Sequence, residues 1–101
     1  MPRIPIHHIT LTPSGRIQVA PALPAAADYA QIHRAGMSVR WDAATRTLYS
    51  LPVPGWTPLQ EFHNIVAIVK SEYGDRLITD PQTTFSNVPP DLETAIRAHP
   101  A

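Results

Sequence analysis

The chain contains no cysteine. That excludes a disulfide scaffold, a thiol nucleophile and a thiolate metal cage. Charge is sparse: Asp, Glu, Lys and Arg make up 16% of the 101 residues, against roughly 25% in an average soluble chain. Neither sign is in excess, because eight basic and eight acidic side chains give a formal net charge of zero. A general nucleic-acid binder draws its affinity from Lys and Arg that neutralise phosphates, so this balance argues against one. The four glycines do not cluster, which leaves no phosphate-cradling loop and no dinucleotide fingerprint. No apolar run approaches the ~20 residues of a membrane-spanning helix. Met1 to Leu11 mixes Pro, Arg and His with Ile and lacks the unbroken apolar stretch of a signal peptide.

What is present points to a folded domain. Hydrophobic residues reach 44%, which with the low charge argues against disorder. The length suits a single globular domain spanning 1–101, expected in the cytoplasm. A small domain is marginally stable alone, and zero net charge removes the repulsion that keeps copies apart. Both raise the expectation of a homo-oligomer.

The hydrophobic pattern divides the chain into alternating units. Arg3 to Leu11 is β-branched and apolar, and Pro5 places it at a sheet edge or a bulge. Thr12-Pro13-Ser14-Gly15 is a turn, and Arg16 to Ala20 returns with Ile17 and Val19 on one face. A helix follows the Pro21 to Pro24 break, with Tyr29 and Ile32 on one side and Gly36 as its stop. A second hairpin pairs Val39 to Asp42 with Arg46 to Leu51 across Ala43 to Thr45. The clearest element is the helix after Thr57. Thr57 and Gln60 make a capping box, Pro58 takes the first helical position and Gly74 the stop. Leu59, Phe62, Val66, Val69 and Tyr73 form its core stripe, and Ile65 and Ile68 widen that stripe to about half the circumference. Short strands over Arg76 to Thr79 and Thr83 to Ser86 precede a last helix opened by Pro89-Pro90 and docked by Leu92 and Ile96. The expected fold is α+β: an antiparallel sheet from two hairpins with two or three helices on one face, in the order β-β-α-β-β-α-β-α.

Candidate chemistry is thin. His7 and His8 are neighbours in a strand and point to opposite faces, so a single metal ion cannot use both without a bend. No histidine pair has the i, i+4 spacing of a zinc helix, and no metal site or cofactor is expected. Glu61 and Glu72 flank the apolar stripe and are expected in solvent. Tyr29 to Asp42 gathers His33, Arg34, Arg40 and Asp42 beside Trp41. These residues, with His63, are the candidates for a ligand or anion site. The bland alternative has His33 and Arg34 capping a helix end, with Arg40 and Asp42 on a solvent face. Trp56, rigidly framed by prolines, is the candidate interface anchor together with Ile65 and Ile68.

The segments Tyr29 to Ala35, Val39 to Asp42 and Thr47 to Tyr49, then Trp56 and the helix to Gly74, resemble small proteins encoded by integron gene cassettes. The resemblance spans residues 29–74. It implies an α+β accessory protein of a mobile element that forms oligomers, and it brings no catalytic residues.

Three functions compete. The first is a non-catalytic, homo-oligomeric module that binds a protein partner or a small ligand. The second is a small metal-independent nuclease or toxin-like enzyme that uses His and Arg near a phosphate. The third is a nucleic-acid-binding accessory protein, which requires the seven arginines to share one face.

Overall fold

A computed structural model describes residues 3–22, 29–32 and 38–99. It shows a six-stranded sheet carrying two helices, the α+β arrangement expected from the pattern. Strands β1 (Arg3–Leu11) and β2 (Ile17–Pro21) form the first antiparallel hairpin. Strands β3 (Val39–Asp42) and β4 (Thr47–Ser50) form the second. Helix α1 (Pro58–Tyr73) follows, then the short strands β5 (Arg76–Ile78) and β6 (Thr84–Ser86), and finally helix α2 (Pro90–Arg97). The helix expected between Pro24 and Gly36 falls mostly outside the described residues. Within them, residues 29–32 make one tight turn with Tyr29 and Ile32 buried.

The sheet runs β3-β4-β2-β1-β5, with β6 also on β1. It is mixed rather than wholly antiparallel, because β5 and β6 both pair with β1 in parallel. The two short strands continue one another along a single edge of β1. Arg3 to Pro5 pair with Arg76 to Ile78, and His8 to Thr10 pair with Thr84 to Ser86. In the gap between them Thr83, almost fully buried, donates its hydroxyl to the Ile6 carbonyl at 2.7 Å.

β1 is therefore an interior strand, contrary to the edge position that Pro5 suggested. Two features accommodate the proline. Its ladder with β5 ends at Pro5, and its carbonyl still accepts from the Ala22 N–H at 2.9 Å. A register shift between Ile6 and His8 supplies the bulge that Pro5 also allowed. That shift lets Ile6 and Ile9, three residues apart, both face the core. His7 is consequently exposed and His8 half-buried, both off the core side, so strict alternation between them fails.

Alternation holds elsewhere. Trp41, Leu48, Val19, Ile9 and Phe85 lie in register across the sheet and turn toward the helices. Arg40, Tyr49, Gln18, Thr10 and Ser86 form the adjacent row on the opposite face.

α1 forms as its sequence requires. The Thr57 side chain accepts from the Gln60 N–H at 3.3 Å, and the Gln60 side chain accepts from the Thr57 N–H at 2.8 Å. Gly74 closes the helix at φ 70°, a left-handed conformation natural to glycine, with its N–H on the Lys70 carbonyl. Phe62, Ile65, Val66, Ile68 and Val69 are all buried. Burying each such side chain contributes about 1.5–3 kcal/mol. Beyond the cap, the Tyr29 ring meets Tyr73 edge to face at 5.0 Å, and its hydroxyl donates to Asp75 at 2.9 Å. α2 lies beside α1 through Ile96, which is fully buried, and Leu92, which is partly so. Arg97 fixes its end, donating to the carbonyls of Asp80 and Thr83 and covering the Phe85 ring at 4.7 Å.

Candidate functional site

The candidate residues separate by element. His33 and Arg34 lie outside the described residues. Arg40 and Asp42 alternate with Val39 and Trp41 on β3 and so stand on the sheet face away from the helices. Asp42 is occupied locally, because its carboxylate accepts from the N–H groups of Ala44 (2.9 Å) and Thr45 (3.4 Å) and shapes the hairpin turn. Arg40 donates to the carbonyl of Val39 at 3.1 Å. His63 is exposed on α1, across the sheet from both. Arg40, Asp42 and His63 therefore do not converge, and the enzyme reading loses its shared pocket among the described residues.

The interface candidates separate as well. Ile65 is fully buried and Ile68 is only 7% exposed, so both belong to the chain's own core rather than to an outward surface. The breadth of the apolar stripe on α1 reflects packing against strands on one side and α2 on another. Trp56 is different. It is 38% exposed, the one exposed large hydrophobic among the described residues. Its N–H donates to the Val53 carbonyl at 3.1 Å, and Gly55 before it adopts φ 86°. Trp56 and the outer turns of α1, through Gln60, His63, Asn64 and Ala67, line an open groove of about 330 Å³. A second, smaller depression of about 240 Å³ lies on the open sheet face among Thr12, Ser14, Arg16, Gln18, Asp42 and Tyr49.

The most organised polar cluster was not expected from the sequence. Glu61 is 5% exposed rather than solvated. One carboxylate oxygen lies 3.0 Å from the Arg16 Nε, and the other accepts from the Ile17 N–H at 3.3 Å. The first contact is ionic, since the Arg16 Nε is buried without a well-aligned acceptor. The same guanidinium donates to the Ser50 carbonyl. Nearby, Asn64 donates to the hydroxyls of Ser38 (2.7 Å) and Ser50 (3.2 Å), and Ser50 donates to the Leu51 carbonyl. These groups tie the first turns of α1 to both hairpins. Apart from the Arg16 Nε, which has only its ionic contact, these groups are hydrogen-bonded within the fold, which marks a structural latch rather than a reactive site. Among the described residues no three His, Asp or Glu side chains gather as a metal cage. Among the described residues no helix is long and apolar enough to cross a membrane.

The family model for the integron cassette protein Hfx_Cass5 matches residues 5–83. That span is more than half of the chain. The chain belongs to the Hfx_Cass5 integron cassette protein family. A solved structure of Hfx_Cass5, from the mobile metagenome of the North West Arm sewage outfall, is 31% identical to it. The alignment covers 96% of this chain and 94% of that one, with a TM-score of 0.46. No curated protein matches. The resemblance read from residues 29–74 is thereby confirmed and extended toward the first strand. The family-model match includes Trp56, the α1 groove and the Arg16–Glu61 latch, and it stops before α2. The family has no assigned function, so it adds no catalytic residues.

Proposed function

We propose that this Hfx_Cass5-family protein is a non-catalytic cytoplasmic module that associates with a second copy of itself through the Trp56 side of α1. The carrying observation is Trp56 itself. A large aromatic ring stands 38% exposed on a proline-framed turn beside a groove. Rigid, exposed tryptophans are the commonest anchors of protein contacts, because they bury much area and lose little conformational freedom. The groove residues Gln60, His63, Asn64 and Ala67 carry no obligatory charge, and the chain's net charge is zero, so two copies meet without repulsion. The separation of Arg40 and Asp42 from His63 supports a binding role over a hydrolytic one. As an accessory of a mobile element, the assembled protein would hold a partner protein or small ligand.

The test is solution mass by size-exclusion chromatography with light scattering over a range of concentrations. The parent is expected to run as a dimer or larger at micromolar concentration. Trp56→Ala is expected to keep its circular dichroism and to raise the dissociation constant at least about thirtyfold, as loss of a central hot spot of about 2 kcal/mol does. A monomeric parent, or a Trp56→Ala variant that associates like the parent, would overturn the proposal.

A further inference from the structure

One residue of the Trp56 groove, His63, also has a close neighbour outside the groove. His63 on α1 and His99, two residues past α2, bring their rings to a centroid separation of 4.8 Å with the planes 47° apart. We propose that these two imidazoles form a chelating site for a divalent transition-metal ion of the copper, nickel or zinc type. The site is formed by the tertiary fold, since 36 positions separate the two residues.

Three observations carry it. The first is the spacing. A metal–nitrogen bond is about 2.0–2.1 Å, which sets each ring centroid roughly 3.2 Å from a shared ion. Two rings opening at 90° to a tetrahedral angle then lie roughly 4.5–5.2 Å apart. The observed 4.8 Å falls inside that range. A tilt of 47° is also neither the parallel arrangement of stacked rings nor the perpendicular one of an edge-to-face pair.

The second is rigidity. The Phe62 ring is 1% exposed and packs edge to face on His99 at 5.6 Å and at a tilt on His63 at 6.2 Å. A buried ring that holds both ligands reduces the ordering that chelation would otherwise require. His99 makes further interactions of its own.

The third is access. His63 is exposed and His99 half-buried, so an ion arrives from solvent and water completes its coordination. Imidazole nitrogen favours copper, nickel and zinc over magnesium or calcium, and copper binds most tightly in that series. The ion would link the end of α2 to α1, fastening the last element to the rest of the core.

Isothermal titration of the tag-free full chain with nickel is the test, read alongside thermal unfolding. One ion per chain is expected, with an unfolding temperature that rises on the order of 10 °C at a hundredfold excess over Kd and returns with EDTA. His63→Gln and His99→Gln, each checked for parental circular dichroism, are each expected to weaken nickel binding at least tenfold. A His7→Gln/His8→Gln variant is expected to bind like the parent, and magnesium to bind none of them. Four results overturn the proposal: no nickel binding by the parent, parental affinity in His63→Gln, parental affinity in His99→Gln, or loss of binding in the His7/His8 variant alone. Because His63 also lines the Trp56 groove, the solution mass of each variant is measured beside its nickel affinity, so failure here and failure of the Trp56 contact are read separately.

Discussion

Removing the Glu61 carboxylate is expected to destabilise the fold by an amount that its surroundings set. Glu61 is 5% exposed, accepts from the buried Ile17 N–H at 3.3 Å and meets the Arg16 Nε at 3.0 Å. In Glu61→Ala the Ile17 amide loses its acceptor, and an orphaned buried donor costs about 1–3 kcal/mol. Breaking a fully buried ion pair costs about 3–5 kcal/mol. Here that figure must be discounted, because the Arg16 side chain is 27% exposed and keeps the Ser50 carbonyl. The net expectation is about 2 kcal/mol, or roughly 8–16 °C in Tm at about 4–8 °C per kcal/mol for a domain of this size. Glu61→Gln keeps an oxygen for Ile17 and loses only the charge, so about 1 kcal/mol is expected. Thermal and urea unfolding by circular dichroism measure both. A Glu61→Ala variant within 2 °C of the parent, or a Gln variant less stable than the Ala variant, would refute the argument.

Other substitutions test other layers of the structure. Ile68→Glu places a carboxylate at a site only 7% exposed, so loss of the fold is expected, visible as loss of cooperative thermal unfolding. This differs from an interface residue, whose change would leave the fold intact. Thr57→Ala removes one arm of the capping box and is expected to lower stability by about 1 kcal/mol in urea titration. Asn64→Ala leaves the Ser38 and Ser50 hydroxyls without their common donor, and about 1–2 kcal/mol is expected in the same assay.

Local rules made much of this fold legible. Helix α1 begins and ends where Thr57, Pro58, Gln60 and Gly74 said it should, because caps and breakers act within a few residues. Both hairpins follow from alternation and turn residues for the same reason. Partnerships across long separations were not legible. Nothing near Glu61 in sequence announces Arg16, so a charged residue beside an apolar stripe looked solvated. Ile65 and Ile68 left open whether the stripe serves a core alone or a partner surface as well, because the strands and helix that cover α1 are not its sequence neighbours. The bulge after Ile6 changed which way His7 and His8 face, an outcome that period-two counting does not foresee. The candidate site suffered most. Arg40 and Asp42 are close to Trp41 along the chain, yet alternation sends them away from the helix layer that carries His63.

The parallel ladders on β1 have a consequence for the birth of the molecule. The first strand finds its hairpin partner β2 at once, but its other edge pairs with residues 76–78 and 84–86. During synthesis that edge stays bare, with its backbone donors and acceptors unanswered, until residues 76–86 have left the ribosome. Such distant closure slows folding and leaves a strand edge open to the wrong neighbour in the interval. Strands β5 and β6, made long after β1, are therefore the ones that seal its open edge.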